Sequence, residues 1–444
     1  MNRHLLGFPP ESFLHRRALA RQGLGEGALI LPAAAILHRS RDTEHRYRPD
    51  SELFYLTGCT EPGVVAVLRD SEEESFVLFV PRRDPKTEVW SGPRVGPEEA
   101  KERFGADAVY PLEEMDEHLP GLLRSHKRIF FRLGVHSRVE SLVVGALQWG
   151  RTRGPRTGEG PRALVDPGEL LDGLRIVKGP EEVSRIRKAT ELTVAAFRET
   201  LGATRPGMGE WEVEALLESA FRRGGGSGPA FPTIVGSGEN GCVLHYVDNQ
   251  DPIDGAGLVL LDGGAEVDLY SGDVSRTYPA GGRFSDRQLE VYEVVLRAHR
   301  AAFASVRPGS TIGQVHDAAL EQITMGLVGL EVLTGTVEDL IAEQAHEPFF
   351  PHKTSHWLGL DVHDVGDYAS SAGSRVLEPG MVLTVEPGLY FPSSADTPSH
   401  PYSGIGVRVE DDLLVTEDGA ENLTGSLPVA PEDLEALVGA GLRA

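Results

Sequence analysis

The chain has 444 residues, enough for two or three domains with a large core. Asp and Glu number 67 against 43 Lys and Arg, a formal net charge of −24. That balance excludes the basic face that nucleic acid or an anionic membrane surface needs, while excess carboxylate is what hard cations prefer. The opening MNRHLLGFPP lacks a basic stretch followed by an apolar core, and no run of about 18 apolar residues occurs. Neither a signal peptide nor a membrane span is expected, and a cytoplasmic location is. With only Cys59 and Cys242 present, a disulfide framework and a four-thiolate zinc site are both excluded.

In chain order, residues 12–22 read as a helix and 28–31 as a short buried strand stopped by Pro32. Strands are expected at 52–56, 64–68 and 75–80, with the EPG turn at 61–63 between the first two and the charged SEEES turn at 71–75 leading into the third. A helix follows at 97–104 and a strand at 128–132. The Gly-, Pro- and charge-rich stretch 154–172 reads as a boundary, giving domains 1–172 and 173–444. The second opens with a strong helix start: Pro180 stands in the first turn with Glu181 and Glu182 beside it, where the helix dipole favours carboxylates. Helices are expected at 210–223, 285–306 and 311–327. Strictly alternating strands lie between and after them, so this part reads as α+β with a substantial antiparallel sheet, and the first as α/β.

Alternation places the chemistry. In GIGVRVEDD, Ile405, Val407 and Val409 share one face, and Gly406, Arg408 and Glu410 the other. In MVLTVEPG, Glu386 falls with Val382 and Thr384; in YSGDVSRTY, Asp273 falls with Ser271, Ser275 and Thr277; in LVLLDGG, Asp262 ends an apolar run. Four carboxylates thus interrupt or end strands that otherwise read as buried. One such residue is usually a turn cap or a paired ion. Four call for a shared cation, because an unpaired buried carboxylate is costly. Pairing of Asp273 with Arg276 is disfavoured, since they fall on opposite faces.

Histidines converge on the same region. PHKTSHWLGLDVHDVG carries His352, His356 and His363, and GSGENGCVLHY carries His245. Lys353 stands where the glutamate of a zinc-protease helix would be, so this is not that motif. His363 beside Asp364 admits a plain surface pair, and His346 and His400 read as solvent-facing. Cys242 lies near His245, but the spacing shows no nucleophile geometry. Four carboxylates balance two divalent cations, and such an oxygen-rich set with one imidazole suits manganese, with cobalt, zinc or iron admitted.

These stretches, together with LEPGMVLTVEPGLY, YRPDSELFYLTGCTEPGVVAVL and VWSGPRVG, resemble the pita-bread metallopeptidases and, within them, the aminopeptidase P group. The resemblance covers nearly the whole chain. It implies a creatinase-like α/β N-terminal domain that gates substrate and makes oligomer contacts, followed by a pita-bread catalytic domain with a curved antiparallel sheet. It also implies hydrolysis of the bond before a proline in second position by a metal-bridging hydroxide. Asp262, Asp273, His356, Glu386 and Glu410 would hold two divalent metal ions, most naturally manganese. Glu386 would also relay a proton. His245, His352 and His363 would hold the substrate and stabilise the intermediate, and Arg408 would orient Asp273 or Glu410. Tyr390 and Trp90 would wall the substrate pocket. The implied partners are peptides with proline second and further copies of the chain, as a dimer or tetramer. A prolidase restricted to dipeptides and a non-catalytic peptide-binding member of the fold are the alternatives. Lys353 departs from the small residues usual at its position in the group.

Overall fold

The structure is a computed structural model that describes residues 6–371, 373–393 and 400–442. Its chain divides into two units, Met1–Leu174 and Arg175–Ala444.

The first unit is built on a mixed six-stranded sheet. Its strands are β1 (Gly27–Pro32), β2 (Val65–Arg69), β3 (Phe76–Val80), β4 (Ala108–Pro111), β5 (Arg128–Phe130) and β6 (Ala163–Val165), in the order β4-β3-β2-β1-β5-β6. β1 pairs antiparallel with β2 (Ile30 opposite Val67) and parallel with β5. β1, β2 and β3 are buried along their whole length, which is why they show apolar runs and no alternation. Helices α1 (Pro10–Leu24), α2 (Ser51–Thr57), α3 (Met115–Arg124) and α4 (Ser137–Thr157) accompany the sheet. Met115, Leu119 and Leu123 of α3 and Val139 and Val143 of α4 close one core with Ile30, Val67 and Phe79.

One expectation is corrected here. Residues 52–56 form a helix, not a strand. Asp50 Oδ1 accepts from the Leu53 N–H (2.7 Å), and the left-handed Gly58 ends the helix after two turns. All seven residues are buried, so no periodicity betrayed the helix. The stretch 154–172 holds the end of α4, all of β6 and the start of a helix at Gly168–Ile176, and the two units divide just after it, between Leu174 and Arg175.

In the second unit every pairing between strands is antiparallel among the described residues. β7 (Ile234–Ser237), β8 (Leu258–Gly263) and β9 (Val274–Pro279) form one sheet. β10 (Val382–Val385), β13 (Asp411–Val415) and β14 (Ala420–Asn422) form a second, and β11 (Gly388–Phe391) pairs with β12 (Ile405–Arg408). Hydrogen bonds stitch these together: Glu410 N–H donates to Ser275 O (3.1 Å), and Arg408 N–H to Thr277 Oγ1 (3.0 Å). Helices α5 (Pro180–Ala203), α6 (Glu210–Arg223), α7 (Asp286–Ser305) and α8 (Ile312–Gly329) contribute the remaining core, with Phe197, Leu217, Val295 and Ile323 buried among the sheet residues. Reciprocal caps start two of them, Ser285 with Gln288 and Thr311 with Gln314. No helix of the described residues is long and apolar enough to cross a membrane.

Candidate metal centre

Asp262 lies near the end of β8. Asp273 stands just before β9, where the strand expected at 270–278 breaks into Tyr270–Ser271 and β9. The break lets the chain pass close to its own neighbour. A Cβ on Gly264 would sit 1.6 Å from Gly272 O, so only glycine fits there. Asp273 is then fixed through its own backbone, whose N–H donates to Asp412 Oδ2 on β13 (2.9 Å).

His356 and Glu386 meet by a different route. Segment 354–358 bends too much to form a regular strand, yet it runs along β10. Thr384 N–H donates to His356 O (2.9 Å), Glu386 N–H to Thr354 O (2.8 Å) and Leu358 N–H to Val382 O (3.0 Å). His356 Nδ1 lies 3.0 Å from Trp357 O, an acceptor, so Nδ1 carries the proton and the Nε2 lone pair is left free. That Nε2 lies 3.3 Å from Asp273 Oδ2, 3.7 Å from Glu386 Oε1 and 3.9 Å from Glu410 Oε1. One donor atom each from Asp273, His356 and Glu410 lies within 4.8 Å of the others.

The donor set fits a divalent cation. Asp262 Oδ1 and Asp273 Oδ1 are buried with no hydrogen-bond partner, a placement that a bound cation relieves. Burial, and then the charge of Asp262, push the Asp273 carboxyl well above the usual carboxylate range. Burial, and then Asp273 and Glu386, do the same to Glu410. Glu386 is pushed up to about 7, chiefly by burial, with Asp273 and Asp262 adding to it against the pull of His356 and Arg408.

Arg408 is buried among these acids, and Arg stays charged there. Its Nη2 donates to Asp262 Oδ2 (2.6 Å) and its Nε to Ser275 Oγ (2.8 Å), whose hydroxyl donates to Glu410 Oε2 (2.8 Å). Arg408 therefore holds Asp262 directly and Glu410 through Ser275. The resemblance gave Arg408 the orientation of Asp273 or Glu410, and the direct contact with Asp262 comes in addition. β8 and β9 put Asp262 opposite Ser275, which brings both under the Arg408 guanidinium. Arg408 Nη1 also donates to Tyr390 Oη (2.9 Å). Lys353 O accepts from His352 Nδ1 (2.8 Å), so His352 Nε2 accepts the Tyr390 hydroxyl proton (2.9 Å). Burial, and then Arg408, hold His352 down to about 3, which keeps this imidazole neutral.

His363 and His245 are exposed. The His363 ring stands edge-on to His356, centroids 4.3 Å apart. Burial, then the neighbouring His356 and His245, lower its pKa. Asp364 does not pair with His363. Its buried carboxylate takes Arg175 Nη2 (2.5 Å) and Lys178 Nζ (3.0 Å), and its N–H donates to Trp357 O (2.9 Å), which folds the loop that carries both His356 and His363. Gly359 lets that loop close, since a Cβ there would sit 2.2 Å from Asp364 Oδ2. Tyr390 is buried behind His352 rather than open to a cleft, and Trp90 lies in the first unit with 90% of its surface exposed. One surface assignment is corrected, since His346 is buried; His400 is half-buried, its ring stacked on Phe391 (5.5 Å, 10°). Burial pushes the Cys242 thiol up to about 12, so it is no nucleophile.

Sequence reasoning missed Ser275 as the link between Arg408 and Glu410, and Asp412 as the anchor of Asp273. The signal for Asp412 was present: Glu410, Asp411 and Asp412 are three acids in a row ahead of LLV.

The raised carboxyls give a pH prediction for the metal-free protein. A carboxyl whose pKa is raised on folding binds more protons folded than unfolded between its two values. For Glu386 that window runs from the ordinary 4.5 to about 7, so stability falls as pH rises through it. Thermal melts of the chelator-treated protein should drop by several degrees, about 5 °C, between pH 5 and 7.5, and added divalent metal should recover most at the upper end. A flat profile without metal would contradict the crowding of these acids.

A model of metallopeptidase family M24 matches residues 184–417, and a model of the aminopeptidase P N-terminal domain matches residues 13–130. The chain is 41% identical to the Xaa-Pro aminopeptidase of Escherichia coli over 425 residues, 95% of this chain and 96% of that protein. The solved structure of Pseudomonas aeruginosa aminopeptidase PepP superposes with a TM-score of 0.93 at 40% identity, covering 98% of this chain and 99% of that one. Zinc-substituted E. coli aminopeptidase P in complex with product superposes at 0.91 and 40%, again covering 98% and 99%. With its pita-bread unit and its gathered acids, the chain belongs to metallopeptidase family M24.

Proposed function

We propose that this protein is a metal-dependent aminopeptidase that releases the first residue from peptides with proline in second position. The observation that carries this reading is the convergence of Asp273, His356 and Glu410 within 4.8 Å, beside carboxylate oxygens of Asp262 and Asp273 that have no partner. Asp262, Asp273, His356, Glu386 and Glu410 would hold two divalent ions, with manganese favoured by the oxygen-rich set. Bound there, such ions supply a water of lowered pKa and polarise the scissile carbonyl.

The chain's own groups do the rest. Glu386 takes up the proton of the attacking water and returns it, as general acid–base work at neutral pH requires. His245 and His363 hold the substrate carbonyl and donate to the charge that develops on it. His352, kept neutral and oriented by Tyr390 and Lys353 O, faces the proline side. Arg408 offsets the acids and fixes Asp262. An Xaa-Pro bond has no N–H, so a pocket shaped for the pyrrolidine ring selects what ordinary peptidases handle badly. Tyr390 backs that pocket through His352, and Trp90 serves as a wall in the assembled enzyme. The first unit gates substrate and contributes to a homo-oligomer, a dimer or tetramer, in the cytoplasm.

Product analysis on an Xaa-Pro-Xaa tripeptide and an Xaa-Pro dipeptide, with manganese and with chelator, tests this. Release of the free first residue from the tripeptide, abolished by chelator, is expected. Turnover of the dipeptide alone would make the protein a prolidase. Turnover of neither, with metal present, would make it a non-catalytic binder.

A further inference from the structure

Lys353 has no role in the chemistry above, and its surroundings are unusual for a surface lysine. The residue is exposed, and its ammonium keeps a side-chain neighbour in the fold. Its ammonium lies 3.5 Å from Nε2 of His316 on α8. An ammonium can only donate, so Nε2 is the acceptor, and His316 Nδ1 carries the proton that goes to Thr354 Oγ1 (2.9 Å). Burial, and then the Lys353 charge, hold His316 down to about 4, so the imidazole stays neutral and leaves the lysine charge unshared. His346 also feels that charge. Among the described residues no carboxylate pairs with Lys353, and Glu347, the acid beside His346, accepts from Gln344 Nε2 (2.7 Å). In a chain of net charge −24 this is a local excess of positive charge without an anion.

The same corner is continuous with the metal centre. Rings follow one another from it: Tyr390 against His352 (5.5 Å), His352 edge-on to Phe350 (5.0 Å), Phe350 against His316 (5.8 Å), and then the Lys353 ammonium. Tyr390 and Phe350 are buried, while His352 and His316 remain partly exposed. The open edge of this row therefore presents imidazole, then imidazole with an ammonium. An extended peptide advances about 3.3 Å per residue. A chain that leaves the centre past His352 brings its C-terminus to the ammonium within about one to three residues of the proline.

We propose that Lys353, seated on His316, binds the free C-terminal carboxylate of short peptide substrates, and so tunes this enzyme toward peptides that end one to three residues after the proline. The proposal rests on the peptidase reading above. The charge is exposed, so the expected effect is modest, about fivefold in kcat/KM and expressed mainly in KM.

The test compares an Xaa-Pro-Xaa tripeptide with its C-terminal amide, using the manganese-loaded wild type, Lys353→Met and Lys353→Glu. The wild type should favour the free acid about fivefold, with the preference fading as salt is raised. Lys353→Met should bring the acid-to-amide ratio to about one, and Lys353→Glu should invert it. A wild-type ratio of one, or an undiminished preference in Lys353→Met, would overturn the assignment while leaving the peptidase reading intact. Failure of the wild type to hydrolyse either peptide would overturn both.

Discussion

Replacing Asp273 by Asn is expected to lower kcat/KM for an Xaa-Pro-Xaa peptide by about a thousandfold, with matching loss of bound metal. The substitution conserves volume and leaves the backbone N–H free to keep its bond to Asp412. What it removes is one negative charge from a donor group in which Asp273, His356 and Glu410 stand within 4.8 Å. The two states of the protein should respond oppositely. With metal, the variant loses a ligand and melts lower than the wild type. Without metal, it loses the repulsion that drives Asp273 and Glu410 far above the carboxylate range, and it should melt higher than the metal-free wild type at neutral pH. Paired melts with and without chelator check this. A variant less stable in both states would mean that Asp273 serves packing and not metal.

Replacing Arg276 by Met should be the most destabilising single change in the second unit, at about 3–5 kcal/mol. The side chain is fully buried and spends all its nitrogens. Nη2 donates to Asp411 Oδ1 (2.7 Å) and Leu427 O (3.1 Å), Nη1 to Glu410 O (2.6 Å) and Ser275 O (3.0 Å), and Nε to Pro428 O (2.9 Å). It thus clamps the backbone of a proposed metal ligand from the side opposite the centre. Burial alone would push Asp411 up, but Arg276 and then His299 more than offset it and hold that acid below the carboxylate range. Removing the guanidinium strands the Asp411 charge with His299, Asn422 and Thr424 as its remaining partners. Urea unfolding of the metal-loaded protein measures the loss. The double variant Arg276→Met with Asp411→Leu should recover part of it, because a buried ion pair exchanged for apolar groups costs far less than one left half-broken. A loss of less than about 1 kcal/mol in the single variant would contradict the clamp.

The legible parts of this molecule were those where one strand face is acidic and the other apolar. Alternation alone separated Arg408 and Glu410 from Val407 and Val409, and it set Arg276 apart from Asp273; in the structure Arg276 turns to Asp411. It failed where the polar–apolar contrast between faces does not follow a strand period. Residues 51–57 are buried all round, and Phe54, Tyr55 and Thr57 favour a strand, so Asp50 and Gly58, the cap and the stop, were the clearest marks of the helix. The centre itself was legible as a list of acids, but not as a set of distances. Which acid Arg408 meets depends on the register that sets Asp262 opposite Ser275, and no spacing along the chain encodes that. Asp364 was equally out of reach, because its partners Arg175 and Lys178 lie more than 180 positions earlier.

The metal content of the purified protein, measured by elemental mass spectrometry after dialysis against trace manganese, bears most directly on the claim that these acids gather for cations. Two divalent ions per chain are expected, falling to one or none in Asp273→Asn. A wild-type chain that retains no divalent ion under those conditions would leave the buried carboxylates without their counter-charge, and the peptidase mechanism without its centre.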